Sequence, residues 1–209
     1  RVSLIQHHSG AVFLTRYTTT SEHDHPVAEN VLARQFEVGA PNEVWVGDLT
    51  YLPTKEGWLY LAVLIDLFSR RVVGWAMGER LTAALALSAL DMANRARRPS
   101  MGLLCHSDRG SQFRSRKFLR ALARHRLVGS MGRVGAAGDN AAMESFFSLL
   151  QRNVLDRQRW TSREELRIAI VTWIERTYHR RRRQGALLDC RRVRGHHGQP
   201  DDRDAQEGS

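Results

Sequence analysis

Between residues 43 and 78 the chain carries three strand-like runs with almost nothing between them, and no other feature restricts its fold as much. Residues 43 to 53, 58 to 66 and 70 to 78 are rich in β-branched, aromatic and leucine side chains. The first alternates apolar and polar positions, as a strand with one buried face does. Only Lys55-Glu56-Gly57 and the Ser69-Arg70 junction separate the runs. Connections this short make hairpins and leave no room for a crossover, so the three strands form an antiparallel meander.

The hydrophobic period then lengthens. A helix is expected from about Thr82 to Arg97, ended by Pro99, and it is followed by a strand through Leu103-Leu104-Cys105. Next come a helix around Ser115 to His125, a short strand near Leu127 to Ser130 and a Gly132-to-Gly138 loop. A further helix carries Met143, Phe146, Phe147, Leu149, Leu150 and Val154, with Asp139 or Asn140 placed to cap it. The last, near Ser162 to His179, sets Leu166, Ile170, Trp173, Ile174 and Tyr178 in a core-facing stripe. The expected class is α/β, a mixed five-stranded sheet flanked by helices. Residues 41–184 make this core, 1–40 a partly irregular arm, and 185–209 a polar tail too poor in apolar surface to order itself.

Three acids within that plan have the spacing of metal ligands. Asp48 lies in Val44-Trp45-Val46-Gly47-Asp48-Leu49-Thr50-Tyr51, in the middle of a strand. Asp108 follows the apolar run 102–105 in His106-Ser107-Asp108-Arg109-Gly110-Ser111-Gln112-Phe113, where a strand gives way to a loop, the usual seat of chemistry in open α/β sheets. Glu144, with 35 residues between it and Asp108, lies about one turn into its helix. Each also has an ordinary explanation: Asp48 as a solvent-facing or edge strand residue, Glu144 as an acid favoured by the helix dipole. Asp66, in an apolar run, is a fourth acid that could be mistaken for a ligand.

With 209 residues and 42% hydrophobic residues, the chain can bury one sizeable core. Its net charge of +10 points to an anionic partner, and nucleic acid fits. Lys55 and Lys117 are the only lysines, a bias that GC-rich codons alone can produce, so the sign of the charge carries more weight than the choice of Arg. Cys105 and Cys190 make no disulfide scaffold and fit a reduced interior. The apolar run from about Leu59 to Phe68 is too short to span a bilayer, and no signal segment opens the chain. The loop 132–138 lacks the ending of a P-loop, and the paired histidines lack zinc spacing, so neither nucleotide nor zinc is assigned.

The stretches 45–51, 57–62, 65–70, 73–75, 106–113 and 139–147, in that order, resemble the catalytic domain of DDE transposases, the retroviral-integrase-like superfamily, and within it the insertion-sequence family numbered three. The resemblance runs from about residue 16 to residue 184. It implies a ribonuclease H-like fold, Asp48, Asp108 and Glu144 as catalytic metal ligands, and a structural hydrogen-bonding role for Asp66. It also implies cleavage by water at the element's end, after which the freed 3′ hydroxyl attacks a second DNA strand. Carboxylate oxygens suit hard cations, so Mg²⁺ is expected, with Mn²⁺ as a substitute. Two such ions about 3.5–4 Å apart fit an in-line displacement at phosphorus.

DNA contacts are expected from Arg109, Arg133, Gln151, Arg152, Arg180, Arg181 and Arg182. The run His179-Arg180-Arg181-Arg182-Arg183 equally reads as a solvated basic helix end. Gln151 stands where many family members carry Lys, and Phe113 where Tyr is usual. The expected partners are the element's terminal inverted repeats, target DNA, further copies of the chain on DNA, and an upstream-frame protein bringing the helix-turn-helix that is missing here. The expected setting is the bacterial cytoplasm, associated with the nucleoid. Two alternatives stay open: an inactive truncated remnant that only binds DNA or a partner, and a ribonuclease H-like nuclease, for which the first long helix offers only Asp91. The chain opens at Arg1 without Met, and both ends read as frame changes or junctions.

Overall fold

The computed structural model describes residues 28–32, 38–132 and 141–181. The expected caps Asp139 and Asn140, the loop 133–138 and both ends of the chain lie outside them. The meander forms as expected: β1 (Val44–Thr54), β2 (Gly57–Asp66) and β3 (Val72–Gly78) pair antiparallel in sequence order. The first turn closes at Gly57, whose φ of +116° is open to glycine and strained for other residues. The second is longer than the expected two-residue junction. Asp66 closes it by accepting the Ser69 N–H at 2.9 Å while its own N–H donates to the Arg71 carbonyl, so β3 begins at Val72 and not at residue 70.

The chain then crosses over through α1 (Ala83–Arg97) to β4 (Leu104–Ser107), and through α2 (Arg116–Arg124) to β5 (Val128–Met131). β4 and β5 run parallel to β1, and the sheet order is β3-β2-β1-β4-β5. Helices α3 (Ala141–Asn153) and α4 (Arg163–Trp173) follow. The expected mixed sheet flanked by helices is therefore present, with two cores divided by the sheet. On one face Val44, Val46, Leu52 and the odd-numbered residues 59–65 of β2 meet α3 and α4. On the other Trp45, Ala62 and Leu64 meet α1 and α2, and Cys105 is sealed there, burial pushing its thiol up to about 12.

Gly74 lets α1 lie this close to β3. A Cβ at position 74 would come 2.1 Å from the Ala89 carbonyl oxygen, which is backbone and cannot turn away. Gly74→Ala should therefore cost at least the roughly 1–3 kcal/mol typical of overpacking, read as a lowered denaturation midpoint.

The helix expected from Ser162 to His179 is not uniform: a π-helical turn, Ile174–Tyr178, follows α4. The wider turn brings two consecutive side chains onto the β2–β3 turn. The Tyr178 hydroxyl donates to the Arg70 carbonyl at 2.7 Å, and His179 Nε2 lies 3.1 Å from the Val72 carbonyl. His179, expected in a phosphate-contacting basic run, is instead buried. Burial lowers its pKa below the usual 6.5, assisted by Arg71 and opposed by the Glu175 carboxylate. The folded state thus favours the neutral ring, and the unfolded chain binds the extra proton. Its contribution is whole above pH 6.5 and is lost as the pH falls. Urea midpoints should drop between about pH 7 and pH 5, and His179→Gln should flatten that slope.

Candidate active site

Alternation along β1 decides which side of the sheet each residue serves. Val46 belongs to the core beneath α3, so Asp48, two residues on, faces the same layer. β4 lies parallel beside it, with Val46 opposite His106 and Gly47 opposite Ser107. One further step along each strand leads to Asp48 and Asp108, the latter just beyond the end of β4. Asp48 is 7% exposed and its Oδ1 accepts the Leu49 N–H at 2.8 Å. Asp108 Oδ1 accepts the Gly110 N–H at 3.0 Å, an approach that a Cβ at 110, 2.9 Å from the same oxygen, would crowd.

Glu144 is exposed in the first turn of α3, while Ala142, Met143, Phe146 and Leu150 bury the opposite side of that helix in the core shared with Val44 and Val46. All three acids therefore belong to one side of the sheet. Among the described residues no three His, Cys, Asp or Glu side chains are gathered tightly enough to hold a metal ion. Strand register aligns the residues just before Asp48 and Asp108, and Glu144 stands on α3. The donor set is all carboxylate oxygen, which suits a hard divalent cation.

The DNA-contact candidates are spread over this side and its rim. Exposed Arg109 follows Asp108 directly and donates from Nε to the Gly132 carbonyl at 2.9 Å. Gln151 is engaged elsewhere: its Nε2 donates to Asp156 Oδ1 at 2.5 Å, and its Oε1 is buried without a partner. Arg152 is exposed, with Nε 3.4 Å from the Ser148 carbonyl. Arg180 and Arg181 are exposed beyond the π turn, Arg181 bordering a cavity of about 180 Å³ with Trp173 and Tyr178. Arg133 and Arg182 lie outside the described residues.

Sequence reasoning missed His106 and Ser130. His106 is buried on β4 with Nδ1 3.0 Å from Ser130 Oγ, and that oxygen accepts the N–H groups of Val31 at 3.1 Å and Leu32 at 3.3 Å. With both lone-pair positions used, the hydroxyl proton goes to Nδ1, which puts the ring proton on Nε2. The available signal was parity, since a polar residue two before Asp108 falls on the inward side of β4. Phe113 keeps the packing role of an aromatic there: it is buried and meets Phe118 edge to face at 5.3 Å. Trp45 is fully buried, Trp75 and Trp160 lie against the core, and Trp58, 48% exposed, abuts Tyr51 edge-on.

Two acids are set aside by position. Asp91 belongs to α1 on the opposite face of the sheet, where it meets His125 at 3.7 Å. Asp66 is fully buried and accepts the N–H groups of Asn42 and Ser69 together with the Ser69 hydroxyl.

A model of the integrase core domain matches residues 39–137, which contain β1 to β5. The transposase InsF of insertion sequence IS3A from Escherichia coli K12 is 47% identical over 161 residues, covering 77% of this chain and 56% of that protein. The chain belongs to the IS3-type transposases with an integrase-like core. It spans about half the length of such relatives. Among solved structures, the simian T-cell lymphotropic virus intasome shares the fold at a TM-score of 0.55, with 20% identity, over 72% of this chain and 53% of that one. The catalytic domain of Mos1 mariner transposase does so at 0.52, with 17% identity, over 65% of this chain and 71% of that one. Structures of the Mos1 domain with raltegravir carry Mg or Mn. These neighbours establish the ribonuclease H-like architecture.

Asp66→Asn should lower stability by about 1–3 kcal/mol, because an amide cannot reproduce an ionised acceptor of three bonds. A ligand carboxylate with no structural bonds to lose would leave the denaturation midpoint unmoved.

Proposed function

We propose that this chain is the strand-cutting and strand-joining part of a transposase, acting on the ends of an insertion sequence and on target DNA. The observation that carries it is the parallel register of β1 with β4, which pairs Gly47 with Ser107, the residues immediately before Asp48 and Asp108. Asp48, Asp108 and Glu144 are the proposed ligands for Mg²⁺ or Mn²⁺, two ions being the number that suits the reaction. Bound divalent ions supply charge neutralisation at phosphorus and at the attacking and leaving oxygens.

The protein's own groups hold the carboxylates in place. The Leu49 and Gly110 amides fix one oxygen of each aspartate, and the sheet beneath keeps the pair from spreading. In the first step a water oxygen forms a bond to phosphorus at the element's end as the bond to the 3′ oxygen breaks. In the second that 3′ hydroxyl attacks a target phosphorus, with the opposite 3′ oxygen leaving. Arg109, Arg133, Arg152, Arg180, Arg181 and Arg182 are proposed phosphate contacts, and Gln151 a weaker one given its bond to Asp156. Repeat recognition and assembly are assigned to the upstream-frame protein and to further copies of the chain on DNA.

A chain that binds DNA without turnover is the alternative, favoured by the lack, among the described residues, of three acids gathered tightly enough to hold a metal ion. Among the described residues no helix is long and apolar enough to cross a membrane. Purified chain given labelled element-end DNA with Mg²⁺ or Mn²⁺ should yield cleaved and joined strands. Asp108→Asn should reduce them about 100-fold or more, the rate equivalent of a few kcal/mol of lost charge stabilisation. Folded, DNA-binding protein without products in either metal would favour the alternative.

A further inference from the structure

The outer face of α2 is built against its own electrostatics. Arg116, Lys117, Arg120 and Arg124 are all exposed, while Phe118, Ala121 and Leu122 bury the other side. Arg116, Arg120 and Arg124 follow one another at i, i+4 spacing, where like charges repel, and Lys117 sits about one turn from Arg120 and two turns from Arg124 along the same side. Two of the four cations, Arg116 and Lys117, occupy the first turn, the positive end of the helix dipole, and no acid shares that turn. A solvated face would tolerate any polar residue there, and helix stability would favour acids.

Among the described residues nothing neutralises the row. The 30 residues between Asp108 and Asp139 hold eight Arg or Lys and neither Asp nor Glu. Among the described residues no ion pair involves these four side chains, and Asp91, the acid next to the helix, meets His125. Exposed Arg126 follows α2 directly, turning its guanidinium to Met101.

We propose that this face is a binding ridge for the phosphate backbone of duplex DNA, separate from the acid-bearing side of the sheet and specific for no sequence. From Arg116 to Arg124 the row spans about 12 Å, the axial length that holds about three to four phosphates of one strand. The helix shows no aromatic to stack on a base: Phe118 is buried beneath it, and Phe113, against Phe118, is buried too. Contacts of this kind position a duplex and do not read it, which suits target DNA better than the element's own ends. The same aromatic pair joins the ridge to the candidate site. Phe113 lies 3.6 Å from where a Cβ on Gly47 would be, next to Asp48, and the loop from Asp108 runs directly into the Ser115 cap of α2.

The choice of target DNA rests on the function proposed above, but the ridge is tested without turnover. Full-length chain is titrated into an unrelated fluorescent duplex of about 30 base pairs, without metal, over a series of salt concentrations. In the variant Arg116→Gln, Lys117→Gln, Arg120→Gln and Arg124→Gln, the slope of log K against log salt should flatten by about three to four, and affinity should fall at least tenfold. Arg120→Gln alone, at the centre of the row, should flatten it by about one and covers the case in which the fourfold variant misfolds. The thermal midpoint should hold or rise, since repulsion is removed. An unchanged slope in both variants, or wild-type chain with no salt-dependent duplex binding, overturns the ridge. Lost strand joining with the slopes behaving as stated counts only against the catalytic reading.

Discussion

Gly47 of β1 lies opposite Ser107 of β4, and the candidate site depends on that parallel register. Asp48 and Asp108 are 60 residues apart in the chain, and neither alone marks a site. Parallel pairing requires a crossover, which β2, β3 and α1 supply, so the acids meet only after most of the sheet has formed. A slip of one residue along β1 would turn Asp48 into the opposite core and leave Asp108 without its neighbour. What resists the slip is the alternation itself. Val44, Val46 and Leu52 match α3 and α4, Trp45 matches α1 and α2, and neither set fits the other side.

Glycines next to these contacts set how closely the layers approach. A Cβ at Gly47 would come within 2.8 Å of a Leu64 methyl, and one at Gly74 would strike the backbone of α1. Both lie where the sheet meets the α1 and α2 layer, so that layer is docked tightly and with little freedom. The α3 and α4 layer is held differently. Tyr178 and His179 bond to carbonyls of the β2–β3 turn, and the Arg163 guanidinium donates to the carbonyls of Glu56 at 2.8 Å and Trp58 at 3.1 Å in the first hairpin. The helix bearing Glu144 therefore sits in a layer fastened by polar clasps at the sheet's turns.

The sequence made the meander and the crossovers legible because each depends on short-range signals: alternation, turn residues and caps such as Ser115 and Ser162, which accept the N–H groups of Phe118 and Glu165. The apolar run alone left Asp66 open to being taken for a ligand, the family resemblance implied a structural role, and the structure supplies the three donors that give it one. What stayed hidden depends on meetings across the chain. Ser130 joins Val31, Leu32 and His106 through one hydroxyl, and no local pattern announces a side chain that serves three partners in two distant segments. The π turn was hidden because Tyr178 sits at helical spacing either way, and only the carbonyls of Arg70 and Val72 explain why the helix widens there. His179, adjacent to a run of arginines, looked like part of a cationic surface until its burial was seen.

The basic residues of this chain do three physically different things, which net charge alone could not separate. Arg163 is a structural donor, its guanidinium held on backbone carbonyls, and losing it would cost packing of the first hairpin rather than affinity for an anion. Arg109 bonds the Gly132 carbonyl while its exposed side stays close to Asp108, so it can serve both the loop and a phosphate. On α2 the charges pair with no acid among the described residues and oppose the helix that carries them. Retaining cations where the dipole and their neighbours both disfavour them makes sense when an external polyanion offsets the repulsion, because binding then returns what folding gave up. The composition suggested that an anionic partner exists; the fold separates the cations available to it from those already engaged.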